Sequence, residues 1–224
     1  MFRRAVSALI LCLVLGSRAP VQAEPILINF DDVTGSMVDI TTRYASQGVT
    51  LGAIANPFPL NGPFPAPASL PTILGGVTTW LDPFISATSP GQVAIAAPTA
   101  TTGQGGNGGI LISFAFDVSS VSLIGNDAGA TATDDESVTL TGYDADGNIL
   151  GQVFSSINLP GAFDQTPATL THPAIRHVAF NYTDTLFGFY AIDDLQFIPV
   201  PEPSTGFLVG VGIFVLSYVR SRLK

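Results

Sequence analysis

Three aspartates near the two ends of the central part of the chain have the chemistry to bind a metal ion. Counting every second residue from 189 to 197 puts Asp193 on one face with phenylalanine, alanine and leucine side chains, where an unpaired carboxylate is costly. Asp31 and Asp32 follow the first candidate strand. If the first and last strands are neighbours, these acids and backbone carbonyls could supply the roughly six to eight oxygens that Ca²⁺ prefers. The sequence therefore predicts a calcium site at Asp31, Asp32 and Asp193. The alternative is that Asp193 bonds backbone amides and that Asp31 and Asp32 are solvated.

A second acidic motif, residues 144–148, has the sequence Asp-Ala-Asp-Gly-Asn. It lacks the carboxylate that an EF-hand loop needs at its twelfth position, where Ser155 stands, and strand-like segments flank it. Glycine and asparagine tolerate positive φ, so the motif predicts a hairpin turn instead.

Catalytic groups are scarce. The two histidines, His172 and His177, are five residues apart on or near a strand, so they are expected on opposite faces. No Gly-x-Ser-x-Gly, His-Glu-x-x-His or phosphate-binding glycine motif is present, and the one cysteine, Cys12, lies in the N-terminal leader. A pair of glycosidase carboxylates is the one arrangement that a sequence does not reveal. The sequence predicts a protein that is not an enzyme.

The elements that must position these residues are strands. Short runs alternate apolar and polar residues and are rich in Val, Ile, Thr, Phe and Tyr. We expect an all-β fold, a two-sheet antiparallel β-sandwich of jelly-roll type, over residues 24–199. The predicted strands are residues 26–30, 48–54, 92–96, 110–116, 119–124, 137–143, 149–155, 168–171, 175–182 and 189–198.

Most of residues 55–109 is expected to be irregular, because residues 56–71 are proline-rich and residues 99–109 are a Thr/Gly/Asn run. Trp80, the only tryptophan, lies in this region. A large aromatic on a loop can stack on a sugar ring, which makes Trp80 a candidate glycan-binding residue; ordinary packing is the alternative.

The N-terminus has the three parts of a secretory signal. Arg3 and Arg4 precede an apolar stretch over residues 5–16, and the leader ends in Val21-Gln22-Ala23. Small residues at Val21 and Ala23 suit signal peptidase, so residues 1–23 are predicted to be a signal peptide cleaved after Ala23.

The C-terminus combines three features in order: Pro201-Glu202-Pro203, an apolar stretch over residues 206–219, and a basic end with Arg220, Arg222 and Lys224. Residues 200–224 resemble the PEP-CTERM sorting signal of Gram-negative bacteria that make exopolysaccharide. The resemblance implies recognition by an exosortase and a transmembrane helix at 206–219. The basic end stays cytoplasmic by the positive-inside rule, which puts the body on the periplasmic side of the inner membrane. After processing, we expect the protein at the cell surface or in the extracellular matrix.

The body between the two signals is strongly acidic. Residues 24–199 hold 16 acidic residues and only Arg43 and Arg176 as basic ones, a net charge of −14. This charge argues against nucleic acid as a partner and favours solubility or divalent cations.

The body also resembles a module common in PEP-CTERM proteins, through the motifs Ile-Asn-Phe-Asp-Asp at 28–32, Tyr-x-x-x-Gly-Val-Thr-Leu at 44–51, the 137–150 hairpin and residues 188–197. Such modules look like galactose-binding-like carbohydrate-binding sandwiches. The resemblance implies a non-catalytic, glycan-binding protein of the cell envelope or exopolysaccharide matrix. The alternative is a structural or adhesive surface protein whose copies associate through calcium.

Overall fold

The computed structural model describes residues 23–35, 37–55, 69–80, 92–96, 109–127, 136–157, 165–183 and 190–201. Residues 25–200 form one compact unit. The second unit comprises residues 1–24 and 201–224, so nearly all of the predicted signal peptide and sorting signal lies outside the described residues. Within the described ranges, no helix has the length and apolar character needed to cross a membrane.

The prediction of an all-β fold is confirmed. Apart from one turn of 3-10 helix at Ala45–Gln47, the regular structure of the described residues is strand, and every pairing between strands is antiparallel. The strands are β1 Ile26–Ile28, β2 Val49–Ile54, β3 Ile73–Gly75, β4 Val77–Trp80, β5 Val93–Ala96, β6 Gly109–Asp127, β7 Glu136–Tyr143, β8 Ile149–Ile157, β9 Gln165–Thr183 and β10 Tyr190–Pro199.

Two long strands, β6 and β9, take part in both layers of the fold. The first part of β6 pairs with β2 and with the end of β9, which itself pairs with β7. The second part of β6 pairs with β10 and with the start of β9. The β6–β9 register shifts between Ser113 and Val118. The first layer therefore has the order β3-β2-β6-β9-β7-β8, and the second has β4-β5-β10-β6-β9 with β1 on the edge of β10.

The two layers pack against each other across one apolar core. Buried side chains from β1, β2, β4, β5, β6, β7, β9 and β10 belong to a single cluster. Gly125 in the second layer lies so close to the first that an added Cβ would come 2.7 Å from Val138 Cγ2. The fold is thus a β-sandwich made by one sheet that bends over on itself.

The predicted strand boundaries were wrong in two places. Residues 110–116 and 119–124 belong to one strand, β6, and residues 168–171 and 175–182 belong to β9, because each strand bends through a register shift without a turn. Strands β3 and β4 lie in the region predicted to be irregular. They have only three and four residues, too short for a period-two pattern to stand out beside proline-rich sequence.

Two predicted local features are confirmed. Strand β1 pairs with β10, with Ile26 opposite Phe197. The 144–148 motif is the turn of the β7–β8 hairpin, in which Asp144 Oδ1 accepts the N–H groups of Asp146 at 2.9 Å and Asn148 at 2.8 Å. Gly147 adopts φ +83, which glycine accepts without strain.

Candidate functional site

The first layer has an outward side that carries polar residues in its centre, which we call the polar sheet face. Along each strand, alternate residues enter the core cluster, and their neighbours point the other way. The strand registers then define the face across five strands. Its positions are Thr50, Gly52 and Ile54 on β2; Gly109, Leu111 and Ser113 on β6; His177, Ala179 and Asn181 on β9; Thr139, Thr141 and Tyr143 on β7; and Ile149, Gln152 and Phe154 on β8.

Three buried polar side chains on this face have an oxygen without a hydrogen-bond partner. They are Thr139 Oγ1, Tyr143 Oη and Asn181 Oδ1, in residues that are 0%, 0% and 3% exposed. Thr139 and Asn181 are direct neighbours across β7 and β9. A buried polar group without a partner costs about 1–3 kcal/mol, so three on one face point to a ligand that supplies the missing bonds.

The carboxamide of Asn181 is positioned by a glycine. A Cβ at Gly109 would clash with Asn181 Oδ1 and would lie 2.6 Å from the carbonyl oxygen of Phe180. The backbone of β6 leaves the space in which Asn181 lies against the face. Burial also raises the pKa of Tyr143 to about 12, which keeps its hydroxyl protonated and able to donate a hydrogen bond.

Two polar pairs complete the face. Gln152 Nε2 donates to Thr141 Oγ1 at 3.0 Å, and His177 Nδ1 lies 2.9 Å from Ser113 Oγ. Burial lowers the pKa of His177, helped by the charge of Arg176 and opposed by that of Asp144. This serine–histidine contact joins neighbouring strands, and the hydrogen bonds of the described residues connect no carboxylate to the imidazole, so they form no catalytic triad.

The lowered pKa of His177 predicts a pH-dependent stability. Because the unfolded chain takes up a proton before the folded one, the free energy of unfolding is highest above the ordinary pKa of 6.5 and falls as the pH drops below it. His177→Gln should flatten this slope in urea titrations between about pH 7.5 and 5. An equally steep slope in the variant would contradict the prediction.

The face has a different border at each of two corners. Phe154 is 51% exposed on β8, directly opposite Thr139 on β7, and offers an aromatic ring to solvent. Leu70 packs against the cluster that contains Tyr143 and lies beside Gly147 in the hairpin turn, where an added Cβ would be 3.2 Å from Leu70 Cβ. The described segment at residues 69–72 thus covers the Tyr143 corner.

Of the predicted calcium ligands, Asp32 already has strong partners. Arg43 Nε donates to its Oδ2 at 3.0 Å, and Tyr44 Oη donates to its Oδ1 at 2.6 Å. Partial burial alone would raise the pKa of Asp32, but these hydrogen bonds and the charge of Arg43 outweigh it and lower the pKa. Asp31 accepts a bond from Asn29 Nδ2 at 3.0 Å. A metal ion would have to compete with these contacts.

Asp193 is fully buried, as predicted, but the assignment of its face was wrong. Between Asp193 and Gln196 the β10–β6 register shifts, and Asp194 has φ +47, so one extra residue is inserted. Leu195 and Phe197 therefore share the core side with Ile192. Asp193 Oδ1 accepts the N–H of Asp194 at 2.8 Å.

Calcium binding stays a prediction. Within the described residues, no three His, Cys, Asp or Glu side chains are grouped closely enough to hold a metal ion. If calcium binds at Asp31, Asp32 and Asp193, millimolar Ca²⁺ should raise the melting temperature of residues 24–200, and a chelator should lower it, because the ion binds only the folded state. An unchanged midpoint would contradict the site, and Asp31→Asn is the variant that should abolish the difference.

Trp80 lies on β4 rather than on a loop. It pairs with Val93 in the second layer, so Trp80 and the polar sheet face belong to different layers. The predicted sorting residues Glu202, Pro203, Arg220, Arg222 and Lys224 lie outside the described residues, and Pro201 is the last described one.

The residues of the polar sheet face were missed by the sequence-based prediction. The signal for them is present: Thr139, Thr141 and Tyr143 alternate with Val138, Leu140 and Gly142 on β7. Alternating polar residues ordinarily indicate a solvated face, and nothing in the sequence shows that these are buried.

Comparisons with known proteins give distant structural similarities. No family model and no curated protein matches the chain. A DUF4465 family protein from Bacteroides caccae is 14% identical, with 79% of this chain and 99% of that chain covered and a TM-score of 0.43. The K2 cleaved adhesin domain of Lys-gingipain is 15% identical over 78% and 99%, with a TM-score of 0.41. The CBM22-1 xylan-binding domain of Paenibacillus barcinonensis Xyn10C is 13% identical over 81% and 98%, also at 0.41. These values assign neither a family nor a function to the chain.

Proposed function

We propose that this chain is an exported, non-catalytic protein of the cell envelope or exopolysaccharide matrix that binds a glycan on its polar sheet face. The observation that carries the proposal is the group of three unpartnered buried oxygens, on Thr139, Tyr143 and Asn181. Sugar hydroxyls both donate and accept hydrogen bonds, so they can satisfy all three. The exposed ring of Phe154 beside them can pack on the apolar side of a sugar.

Other ligand classes fit this face less well. A peptide that adds a strand needs a free sheet edge, whereas the three oxygens lie on central strands. Nucleic acid binding depends on basic side chains, and the body has a net charge of −14. A hydroxyl-rich, uncharged polymer needs neither.

Export and sorting follow from the two ends of the sequence. Signal peptidase would remove residues 1–23, and the apolar stretch at 206–219 would hold the body on the periplasmic side of the inner membrane. An exosortase would then recognise Pro201-Glu202-Pro203 and pass the body to the cell surface or matrix.

Direct binding tests the proposal. Residues 24–200, which contain the whole core of the compact unit, should bind the producing cell's own exopolysaccharide saturably in isothermal titration calorimetry. Repeating the titration with chelator separates glycan binding from a calcium requirement. Absence of binding in both conditions would overturn the glycan proposal and favour a structural or adhesive role.

Sorting is tested in the producing cell. Replacing Pro201, Glu202 and Pro203 together by alanine should trap an uncleaved, larger form in the inner-membrane fraction, because the recognised extended motif is lost. Replacing Pro71 and Pro90 by alanine changes proline content without touching the motif and is the control. Normal release of the triple variant would contradict exosortase sorting.

A further inference from the structure

The polar sheet face carries no charged side chain, although the body around it is strongly acidic. None of its positions on the five strands is Asp, Glu, Lys or Arg. The two basic residues of the body are engaged elsewhere, Arg43 with Asp32 and Arg176 with Asp117. An anionic ligand would therefore meet no counter-charge on the face and would be repelled by the net charge of the body.

The unpartnered oxygens are spread along the strands. Asn181 lies opposite Thr139, whereas Tyr143 is four residues further along β7, about 13 Å at the usual rise of a strand. That separation is longer than one pyranose ring. A single sugar can satisfy the Thr139–Asn181 end or the Tyr143 end, but not both.

The borders extend the same axis. Phe154 lies beside Thr139 at one end, and Leu70 packs near Tyr143 at the other. Contacts of two kinds thus follow one line along β7: an aromatic ring and two polar groups first, then a hydroxyl against an aliphatic side chain.

We infer that the polar sheet face takes a segment of an uncharged polysaccharide, at least two sugars long, lying parallel to β7 and β9. The inference rests on the proposed function and adds to it the charge, the length and the direction of the ligand. Asn181 Oδ1 accepts from a sugar hydroxyl, while the hydroxyls of Thr139 and Tyr143 both donate and accept.

The test uses exopolysaccharide from the producing cell, separated by anion exchange into uncharged and acidic fractions and partly hydrolysed into sized oligosaccharides. Residues 24–200 should bind the uncharged oligosaccharides, with an affinity that rises from one sugar to several and then levels off. Reducing the carboxylates of the acidic fraction to alcohols gives a chemically matched control, which should bind better than its parent.

Variants locate the two ends. Thr139→Val should weaken binding of the longer oligosaccharides by roughly two- to tenfold, the value of one neutral hydrogen bond. Tyr143→Phe should do the same, and the two effects should multiply. Thr171→Val, at an exposed threonine of β9 outside the face, should change nothing.

The outcomes separate the inference from the proposed function. Equal or tighter binding of the unreduced acidic fraction, or equal affinity for one sugar and for several, would overturn the inference while the glycan proposal stands. Absence of binding to every fraction would overturn the glycan proposal itself.

Discussion

Tyr143→Phe is expected to leave the free domain at least as stable as the parent and to weaken glycan binding, whereas Tyr44→Phe should do the reverse. Both tyrosines are buried. The hydroxyl of Tyr143 has no partner, so removing it relieves a desolvation cost of about 1 kcal/mol or more. The hydroxyl of Tyr44 donates to Asp32 at 2.6 Å, and its removal should cost about 1.5–3 kcal/mol, since the acceptor is charged.

The two variants control for each other, because each removes one oxygen from a buried aromatic ring. Urea unfolding gives the stability of each, and calorimetric titration with exopolysaccharide fragments gives the affinity. A loss of stability in Tyr143→Phe similar to that in Tyr44→Phe would show that the Tyr143 hydroxyl has a partner in the free domain. That hydroxyl would then need no ligand.

Phe197→Ala is expected to cost about 3–5 kcal/mol, the largest effect on stability that we predict. Phe197 is fully buried on β10, where it pairs with Ile26 of β1, and its ring lies 5.1 Å from that of Phe114. A second ring, that of Phe116, lies 6.3 Å away. The loss is a large share of the roughly 5–15 kcal/mol that holds a domain folded.

Phe154→Ala is the matched control, because Phe154 is half exposed on an edge strand. It should change the free energy of unfolding by well under the Phe197 value and weaken glycan binding instead. Chemical unfolding monitored by circular dichroism measures both variants. Comparable destabilisation by the two would contradict the assignment of Phe197 to the core and of Phe154 to the border of the face.

The sequence was sufficient to predict most of the strands, because apolar residues in β2, β7 and the start of β6 alternate cleanly. The hairpin turn at 144–148 was predictable from its glycine and asparagine. The bends in β6 and β9 were not, since they arise from register shifts between strands far apart in sequence. The same limit affected Asp193: a single inserted residue at Asp194 moved Leu195 and Phe197 to the other face.

The candidate site was harder to predict than the fold. Trp80 and the three aspartates attracted attention by residue type, whereas the polar sheet face consists of threonine, tyrosine and asparagine, which are common on any strand. Their significance depends on burial and on missing partners, and both follow from how β7 and β9 pair. Neither property is encoded in the spacing of residues along one strand.

The most direct test of the account is to map where the glycan binds. Residues 24–200 labelled with ¹⁵N and ¹³C would be titrated with uncharged exopolysaccharide fragments and followed by NMR. The account predicts that the largest shift changes occur at Thr139, Tyr143, Phe154 and Asn181, along β7, β8 and β9. Changes concentrated instead at Trp80 and Val93, on β4 and β5, would contradict it and place the binding site on the other layer.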